Sequence, residues 1–208
     1  PPSIEHTARH CAQAIRKAFA VKAGSYAGIT LIGWCASGVV AFETARQLHL
    51  DDPAGPTSDV VILDGHDLLH HPDWSPKVHA SRLASLALFK VSQLRGRSMK
   101  TALGALHRFA ASTKSDTACA APDLRMVIRQ AFRSYRPSEP YPGALHHVLA
   151  EQRPKGHYRH PQTVWGPCVS GTHDWIEIPG DHQSIFMPPN SHKLVAALRQ
   201  FDLTNTEE

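Results

Sequence analysis

The chain has 208 residues with 42% hydrophobic and 19% charged side chains, which is typical of one large or two small globular domains and excludes collagen-like and disordered classes. The net charge of +4 comes from lysines and arginines that are scattered along the chain, so a nucleic-acid partner is not predicted. No apolar run approaches the roughly 18 to 20 residues of a membrane span and the first residues lack a signal peptide, which favours a cytoplasmic protein without a membrane partner.

The first third of the chain reads as a helix, a strand, a tight turn and a second helix. Apolar residues recur at helical spacing over residues 4 to 19, and Ser3 is placed to cap that helix. The run 29 to 32 is short, apolar and β-branched, which predicts a strand covered on both faces. Small residues around Cys35 form the turn, and helical spacing returns from Val39 to Leu50.

The remainder of the chain adds further strands and a long helical segment. Residues 59 to 65 predict a second buried strand, and two such strands joined by a helix make a parallel βαβ unit. The later elements are helical patterns at about 79 to 94, 98 to 112 and 122 to 135, strands at 144 to 150 and 174 to 178, and a helix over 191 to 201. This order predicts an α/β fold, with a mostly parallel sheet, helices on both faces and a helical insertion over about 66 to 142.

The turn GWCASG has the character of a nucleophile elbow, in which a Ser or Cys side chain stands exposed above the end of a strand. Cys35 takes that position, and the N-terminal amides of the next helix favour its thiolate and place the Ala36 N–H to donate to an oxyanion. The turn departs from G-x-S-x-G, with Cys for Ser and Ser37 for the second Gly, although Gly38 follows. A buried structural cysteine is the alternative interpretation.

Two residues complete a triad in the chain order nucleophile, acid, histidine. Asp64 ends the second strand, and His182 lies in the turn between the last strand and the final helix. Asp181 is interpreted as a turn or capping residue, and Glu151, after the strand 144 to 150, is the substitute acid if Asp64 is misplaced. As a lone residue, His182 would be an ordinary surface histidine, so its place in this order is what makes it the predicted base.

Taken together, these stretches resemble the type I thioesterase domains of nonribosomal peptide synthetases and polyketide synthases, members of the α/β-hydrolase superfamily. The matching stretches are Ile29 to Arg46, Val60 to Gly65, Tyr135 to Gly143, Trp165, and Ile178 to Pro189. The resemblance implies one thioesterase domain over 1 to 208, with a core of 1 to 65 and 143 to 208 and a mobile helical lid at about 66 to 142. It also implies Cys35, Asp64 and His182 as the triad.

The family's activity implies that a peptidyl group passes from the phosphopantetheine thioester of an upstream peptidyl carrier protein domain onto Cys35, with no cofactor of the domain's own. The family also has strands and a loop before the first helix, and that loop supplies a second oxyanion amide. We therefore expect this chain to lack N-terminal strands of the complete domain. Most members use Ser, and the Cys members include domains that form β-lactones and the β-lactam of monobactams such as sulfazecin.

The chemistry of the thiol agrees with that subclass. Transfer of an acyl group from one thioester to Cys35 makes another thioester, which keeps an activation that a serine ester would lose. A weak intramolecular nucleophile gains from this, so release by cyclisation, including β-lactam or β-lactone formation, or by hydrolysis is expected. Two alternatives stay open: a free-standing cysteine hydrolase resembling dienelactone hydrolase, which would not need so long a lid, and a non-catalytic hydrolase-fold binding module.

Several other residues carry weaker signals. Trp34 is predicted to shape the acyl pocket, with a core role as the alternative. No metal is predicted, because the loop histidines and aspartates have no ligand spacing; they are His66, His70, His71, Asp67 and Asp73. The cysteines lie far apart without a C-x-x-C pair, so Cys11, Cys35, Cys119 and Cys168 are interpreted as free thiols.

Overall fold

Four parallel strands flanked by helices form the part of the chain that the structure, a computed structural model, describes: residues 3–21, 29–65, 84, 124–153 and 160–201. The strands are β1 (Thr30–Trp34), β2 (Asp59–Leu63), β3 (Leu145–Ala150) and β4 (His173–Ile178). The helices are α1 (Ile4–Val21), α2 (Ala36–Asp51), α3 (Leu124–Ser134), α4 (Pro161–Trp165) and α5 (Asn190–Gln200). Two 3₁₀ turns cover Gly166–Cys168 and Ser184–Phe186.

The sheet order β1-β2-β3-β4 follows the chain order, and every neighbouring pair is parallel. Side chains on β2 alternate between two cores, because successive residues of a strand point to opposite faces. Val60 and Ile62 join the core on the α1 and α2 side, whereas Val61 and Leu63 join the core on the α5 side. The predicted parallel sheet with helices on both faces is confirmed, and all four strand C-termini meet at one edge.

The periodicities placed most elements correctly. The helices predicted at 4 to 19, 122 to 135 and 191 to 201 are present as α1, α3 and α5, and the Ser3 hydroxyl caps α1 by accepting the His6 N–H at 3.1 Å. The short α4 helix was not predicted. Apart from residue 84, the helical patterns at 79 to 94 and 98 to 112 lie outside the described residues, so the lid over 66 to 142 stays a prediction.

The prediction that the first strand is covered on both faces was wrong. β1 lies at one edge of the described sheet, while the helix on that face, α5, packs on β3 and β4. Ile32, which shares a face with Val61 of β2, is therefore 51% exposed. An apolar run predicts a strand, but the run alone does not tell whether a helix reaches the edge of the sheet.

A buried polar network joins α2 to the segment after α3. The Arg46 guanidinium donates to the Glu43 carboxylate at 2.7 Å, to the Glu139 carbonyl at 3.1 Å and to the Ser138 hydroxyl at 3.0 Å. The Tyr135 hydroxyl donates to the same Glu43 oxygen at 2.7 Å. Burial and the neighbouring carboxylate raise the pKa of Tyr135, so its phenol stays a donor. The network fixes the segment 135–139 against α2.

Loss of one charge from this network should be costly. Arg46→Met keeps most of the apolar stem but leaves the Glu43 carboxylate buried without its cation, so we expect a loss of about 3–5 kcal/mol in the free energy of unfolding. Urea denaturation followed by circular dichroism measures it. The matched control is Arg16→Met, which breaks a solvent-exposed pair with Asp51 and should cost about 0–1 kcal/mol. Equal losses in the two variants would contradict the buried network.

Candidate active site

Cys35 occupies a strained backbone position between β1 and α2. Its φ of 52° and ψ of −123° lie in a region that side chains other than glycine rarely adopt. The strain, on the order of 1–3 kcal/mol, is held by the surroundings. The Cys35 N–H donates to the Leu63 carbonyl at 2.8 Å, and the Cys35 carbonyl accepts the Gly38 N–H at 3.0 Å. This geometry is that of a nucleophile elbow, and the thiol is part-exposed.

Close approach of β1 to α2 explains the glycines of the elbow. A Cβ on Gly33 would lie 2.5 Å from the Cα of Gly38, and a Cβ on Gly38 would lie 2.6 Å from Cγ2 of Ile62, so both positions need a hydrogen in place of a side chain. Ser37 stands where the usual pattern has glycine, and its hydroxyl turns back to donate to the Trp34 carbonyl at 2.8 Å. The glycine one position later supplies the close contact, so the departure from G-x-S-x-G leaves the elbow intact.

Asp64 follows β2 directly and points at the same edge of the sheet. Its backbone also has positive φ, 48°, and its N–H donates to the Val148 carbonyl at 2.8 Å. One carboxylate oxygen, Oδ1, accepts the Ala150 N–H at 3.0 Å. The other, Oδ2, accepts a hydrogen bond from His182 Nδ1 at 2.7 Å, in a pair whose carboxylate is 10% exposed. The acid is therefore fixed at both oxygens.

The turn after β4 presents His182 to the elbow. The Asp181 carboxylate accepts the N–H groups of Gln183 and Ser184 at 3.0 and 2.9 Å, as expected of a turn residue. With Nδ1 bonded to Asp64, Nε2 is the ring nitrogen left for Cys35, whose side chain is close enough to help raise the pKa of the imidazole. The structure thus brings the three sequence-predicted residues into one chain of contacts.

Electrostatics favour a charged histidine in this arrangement. The hydrogen bond to Asp64, the hydrogen bond to Cys35 and the charges of both groups raise the pKa of His182 to about 10, against the opposing effect of burial. This direction favours the protonated imidazole. A protonated imidazole beside a cysteine is the partner that a thiolate nucleophile requires.

Two more predicted site residues flank Cys35. Ala36 begins α2, and the N–H of a first helical residue has no acceptor within its own helix, so it is free in principle to bind an oxyanion. Trp34 is 42% exposed and its indole stacks on the His182 ring, with centroids 4.9 Å apart and planes 27° apart. Its role in an acyl pocket stays a prediction.

Sequence reasoning missed Phe186. Its ring meets the Trp34 indole edge-on at 5.2 Å, so it belongs to the surface around His182. The signal that could have found it is its position four residues after His182 in the same turn. The stack of Trp34 on His182 had no such signal, because the two residues are far apart in the chain.

The other candidates have different outcomes. Glu151 is exposed and its N–H donates to the Ile178 carbonyl at 3.0 Å, while the His182 ring bonds to Asp64. The group from His66 to Asp73 lies outside the described residues, and within the described ones no three side chains are placed to hold a metal. Cys11 and Cys168 are free thiols, and Cys119 lies outside the described part. No described helix is long and apolar enough to cross a membrane.

Two histidines of β3 and β4, the buried His146 and the half-buried His173, should weaken the folded chain in acid. Burial lowers the pKa of His146 and of His173 below the usual 6.5, partly offset at His146 by Asp59 and Asp174. As the pH falls below about 6.5, the unfolded chain binds protons before the folded chain does, so the free energy of unfolding falls. Over the same interval His182, whose pKa is raised in the folded chain, contributes in the opposite direction, so the test is a comparison of variants. Between pH 7.5 and 5.5 the urea midpoint of His173→Gln should fall less, or rise more, than that of the wild type, whereas the exposed His192→Gln should show the wild-type change; equal changes in all three proteins would refute the assignment.

Comparison with solved structures identifies the fold. The RedJ thioesterase of the prodiginine pathway in Streptomyces coelicolor matches with a TM-score of 0.55 and 18% identity, over 95% of this chain and 71% of that one. A covalent complex of the NocB thioesterase domain with a fluorophosphonate nocardicin G analogue matches with a TM-score of 0.56 and 17% identity, over 96% and 74%.

A multidomain protein matches as well. The four-domain nonribosomal peptide synthetase AB3403, in its holo form with AMP and glycine, has a TM-score of 0.56 and 21% identity over 96% of this chain. The chain spans 16% of the length of that synthetase. No protein-family model and no curated protein matches the sequence. The chain has the α/β-hydrolase fold found in thioesterase domains, as predicted.

Proposed function

We propose that this chain is a chain-releasing thioesterase domain of a nonribosomal peptide synthetase. It takes a peptidyl group from the phosphopantetheine thioester of an upstream peptidyl carrier protein onto Cys35, and releases the product by intramolecular cyclisation or hydrolysis. The observation that carries the proposal is the contact chain from Asp64 through His182 to Cys35, at a strained elbow. The fold that the chain shares with thioesterase domains also supports the proposal.

In the first step Cys35 attacks the carrier thioester. A bond forms between its thiolate sulfur and the acyl carbon, and the bond from that carbon to the phosphopantetheine sulfur breaks. The leaving thiolate takes the proton that His182 Nε2 holds. Asp64 accepts the hydrogen bond from Nδ1, which keeps a proton on that nitrogen and stabilises the positive charge of the ring. The Ala36 N–H binds the oxyanion of the tetrahedral intermediate.

In the second step an amine or hydroxyl of the bound peptide, or water, attacks the acyl-Cys35 thioester. His182, now neutral, takes a proton from the nucleophile, and the Cys35 thiolate leaves. The cycle returns the starting imidazolium and thiolate. No cofactor of the domain's own takes part, because the substrate is delivered on the phosphopantetheine arm of the carrier.

The cysteine supports cyclisation over a plain hydrolytic role. An acyl thioester at Cys35 is as activated as the substrate, so a poor internal nucleophile still faces an electrophilic carbonyl. We therefore propose strained-ring closure, of the β-lactam or β-lactone type, as the release step. A serine at this position would store the acyl group as a less reactive ester.

Intact-protein mass spectrometry tests the proposal. Incubation with a peptidyl pantetheine thioester should add the acyl mass to the protein and release free pantetheine thiol. Peptide mapping should place the adduct on Cys35, and Cys35→Ala should gain none. Cys168→Ala is the matched control, since Cys168 is also part-exposed but lies outside the site, and it should acylate normally.

Other outcomes select the alternatives. Acylation by small activated esters or lactones, but not by carrier-like thioesters, would indicate the cysteine hydrolase that resembles dienelactone hydrolase. The absence of an adduct with every acyl donor would indicate a hydrolase-fold binding module. Either result would overturn the thioesterase proposal.

A further inference from the structure

Three aromatic rings, two of them stacked, lie in contact beside the elbow. The Trp34 indole lies nearly parallel to the His182 imidazole, with ring centroids 4.9 Å apart and planes at 27°. The Phe186 ring contacts the Trp34 indole edge-on, with ring centroids 5.2 Å apart and planes at 80°. The His182 side chain is itself 41% exposed, and the indole covers one face of its ring.

We propose that Trp34 is a positioning residue that holds His182 in its charged form between Asp64 and Cys35. The face of an indole carries negative quadrupole density, so it attracts an imidazolium more strongly than a neutral imidazole. Trp34 thus acts through His182 and not on the substrate itself. The stack is independent of the reaction, whereas its catalytic consequence rests on the proposed function.

The backbone that carries the indole is fixed by two contacts. Trp34 is the last residue of β1 and pairs with Leu63 of β2 in the parallel ladder, and its carbonyl accepts the Ser37 hydroxyl at 2.8 Å. Two opposing effects act on the imidazole. Covering one ring face removes water, which disfavours the charge, whereas the face-on cation contact favours it. The contact dominates because the half-exposed ring keeps much of its solvation.

The titrating neighbours of His182 in the described part of the chain are few. Asp64 faces it from the end of β2 and Cys35 from the elbow, and both raise its pKa. Asp181, the preceding residue, is engaged with the N–H groups of its own turn. The tryptophan therefore adds to an effect for which the carboxylate is the largest cause, and its removal should give a partial decrease only.

NMR titration of the imidazole in the full chain measures the effect directly. The protein is labelled with ¹³C and ¹⁵N at histidine, and the His182 signals are assigned by their loss in His182→Gln. Trp34→Leu should lower the pKa of His182 by roughly half a unit to one unit, as expected for the loss of a partly exposed cation–π contact. Trp34→Phe, which keeps an aromatic face, should lower it less.

Trp175→Leu is the matched control. Trp175 is a similarly exposed tryptophan, at 38%, and it contacts the rings of His160 and His173 instead. This variant should leave the pKa of His182 unchanged. Thermal unfolding of all variants checks the fold, and if Trp34→Leu does not fold, Trp34→Phe against Trp175→Phe gives the same comparison.

Steady-state kinetics separates positioning from substrate contact. Trp34→Leu should lower kcat several-fold and shift the alkaline limb of the pH–rate profile to lower pH, and Trp34→Phe should restore most of both. An unchanged pKa of His182 in a folded Trp34→Leu protein would overturn the proposal, even if activity fell. A failure of the proposed function would give a different result: Trp34→Leu would still lower the pKa of His182, but the wild-type protein would form no acyl adduct.

Discussion

Cys35→Ala should lower thioester turnover by roughly 10⁴- to 10⁶-fold, the range that follows removal of a covalent nucleophile. Without the sulfur no acyl-enzyme forms, and His182 has only water to activate. The fold should be unaffected, because alanine fits the same backbone with fewer atoms, although the strained φ of 52° persists. The measurement is release of free thiol from a pantetheine-linked peptide, alongside urea denaturation to check stability.

Cys35→Ser separates the function of the thiol from that of the elbow. His182 can activate a hydroxyl, so acyl transfer should persist, but the ester that forms is less reactive than a thioester. Product should fall more steeply for ring closure than for hydrolysis when the peptide carries an internal nucleophile. Equal ratios of cyclic to linear product in the wild type and in Cys35→Ser would remove the argument for ring formation and leave a hydrolytic thioesterase.

Asp64→Asn should lower kcat by about 10⁴-fold while leaving the fold intact. The amide oxygen of asparagine can still accept the Ala150 N–H, so the backbone around the residue keeps its support. The amide NH₂, however, would donate to His182 Nδ1, which favours the neutral tautomer with its proton on Nε2, and that nitrogen can then no longer take a proton from the attacking nucleophile. Steady-state kinetics measures the loss in turnover.

The pKa of His182 gives a second readout of the same variant. The hydrogen bond to Asp64 is the largest cause of its rise to about 10, so Asp64→Asn should move the pKa back toward the ordinary value of 6.5. Glu151→Gln is the control, since this nearby carboxylate is exposed. A greater loss of activity in Glu151→Gln than in Asp64→Asn would move the catalytic acid to Glu151.

The charged state of His182 links both predictions to the choice of nucleophile. A serine hydroxyl needs a neutral base to remove its proton, whereas a thiol gives up its proton easily enough to rest as a thiolate beside an imidazolium. The raised pKa of His182 suits the second arrangement. A cysteine at the elbow and a raised pKa of His182 are therefore consistent with each other.

Local periodicity predicted most of the described helices and strands, though not α4, and the motifs at the strand ends predicted the order of the candidate site residues. The apolar repeats marked α1, α3 and α5, and short β-branched runs marked β1 and β2, because backbone conformation follows side-chain spacing over a few residues. In a parallel sheet every strand ends at the same edge, so Cys35 and Asp64 were expected there from sequence alone. The resemblance to thioesterase domains predicted the fold that the comparisons found.

Contacts between distant residues were decided only by the tertiary structure. No local pattern shows that Ile32 is left exposed at the edge of the sheet, because its cover depends on where α5 packs. The same holds for the stack of Trp34 on His182, whose two residues meet only when the turn after β4 folds over the elbow. The sequence determined which groups are available and at which strand ends, since these depend on local spacing. Their distances, orientations and pKa values depend on packing between elements, which only the folded chain defines.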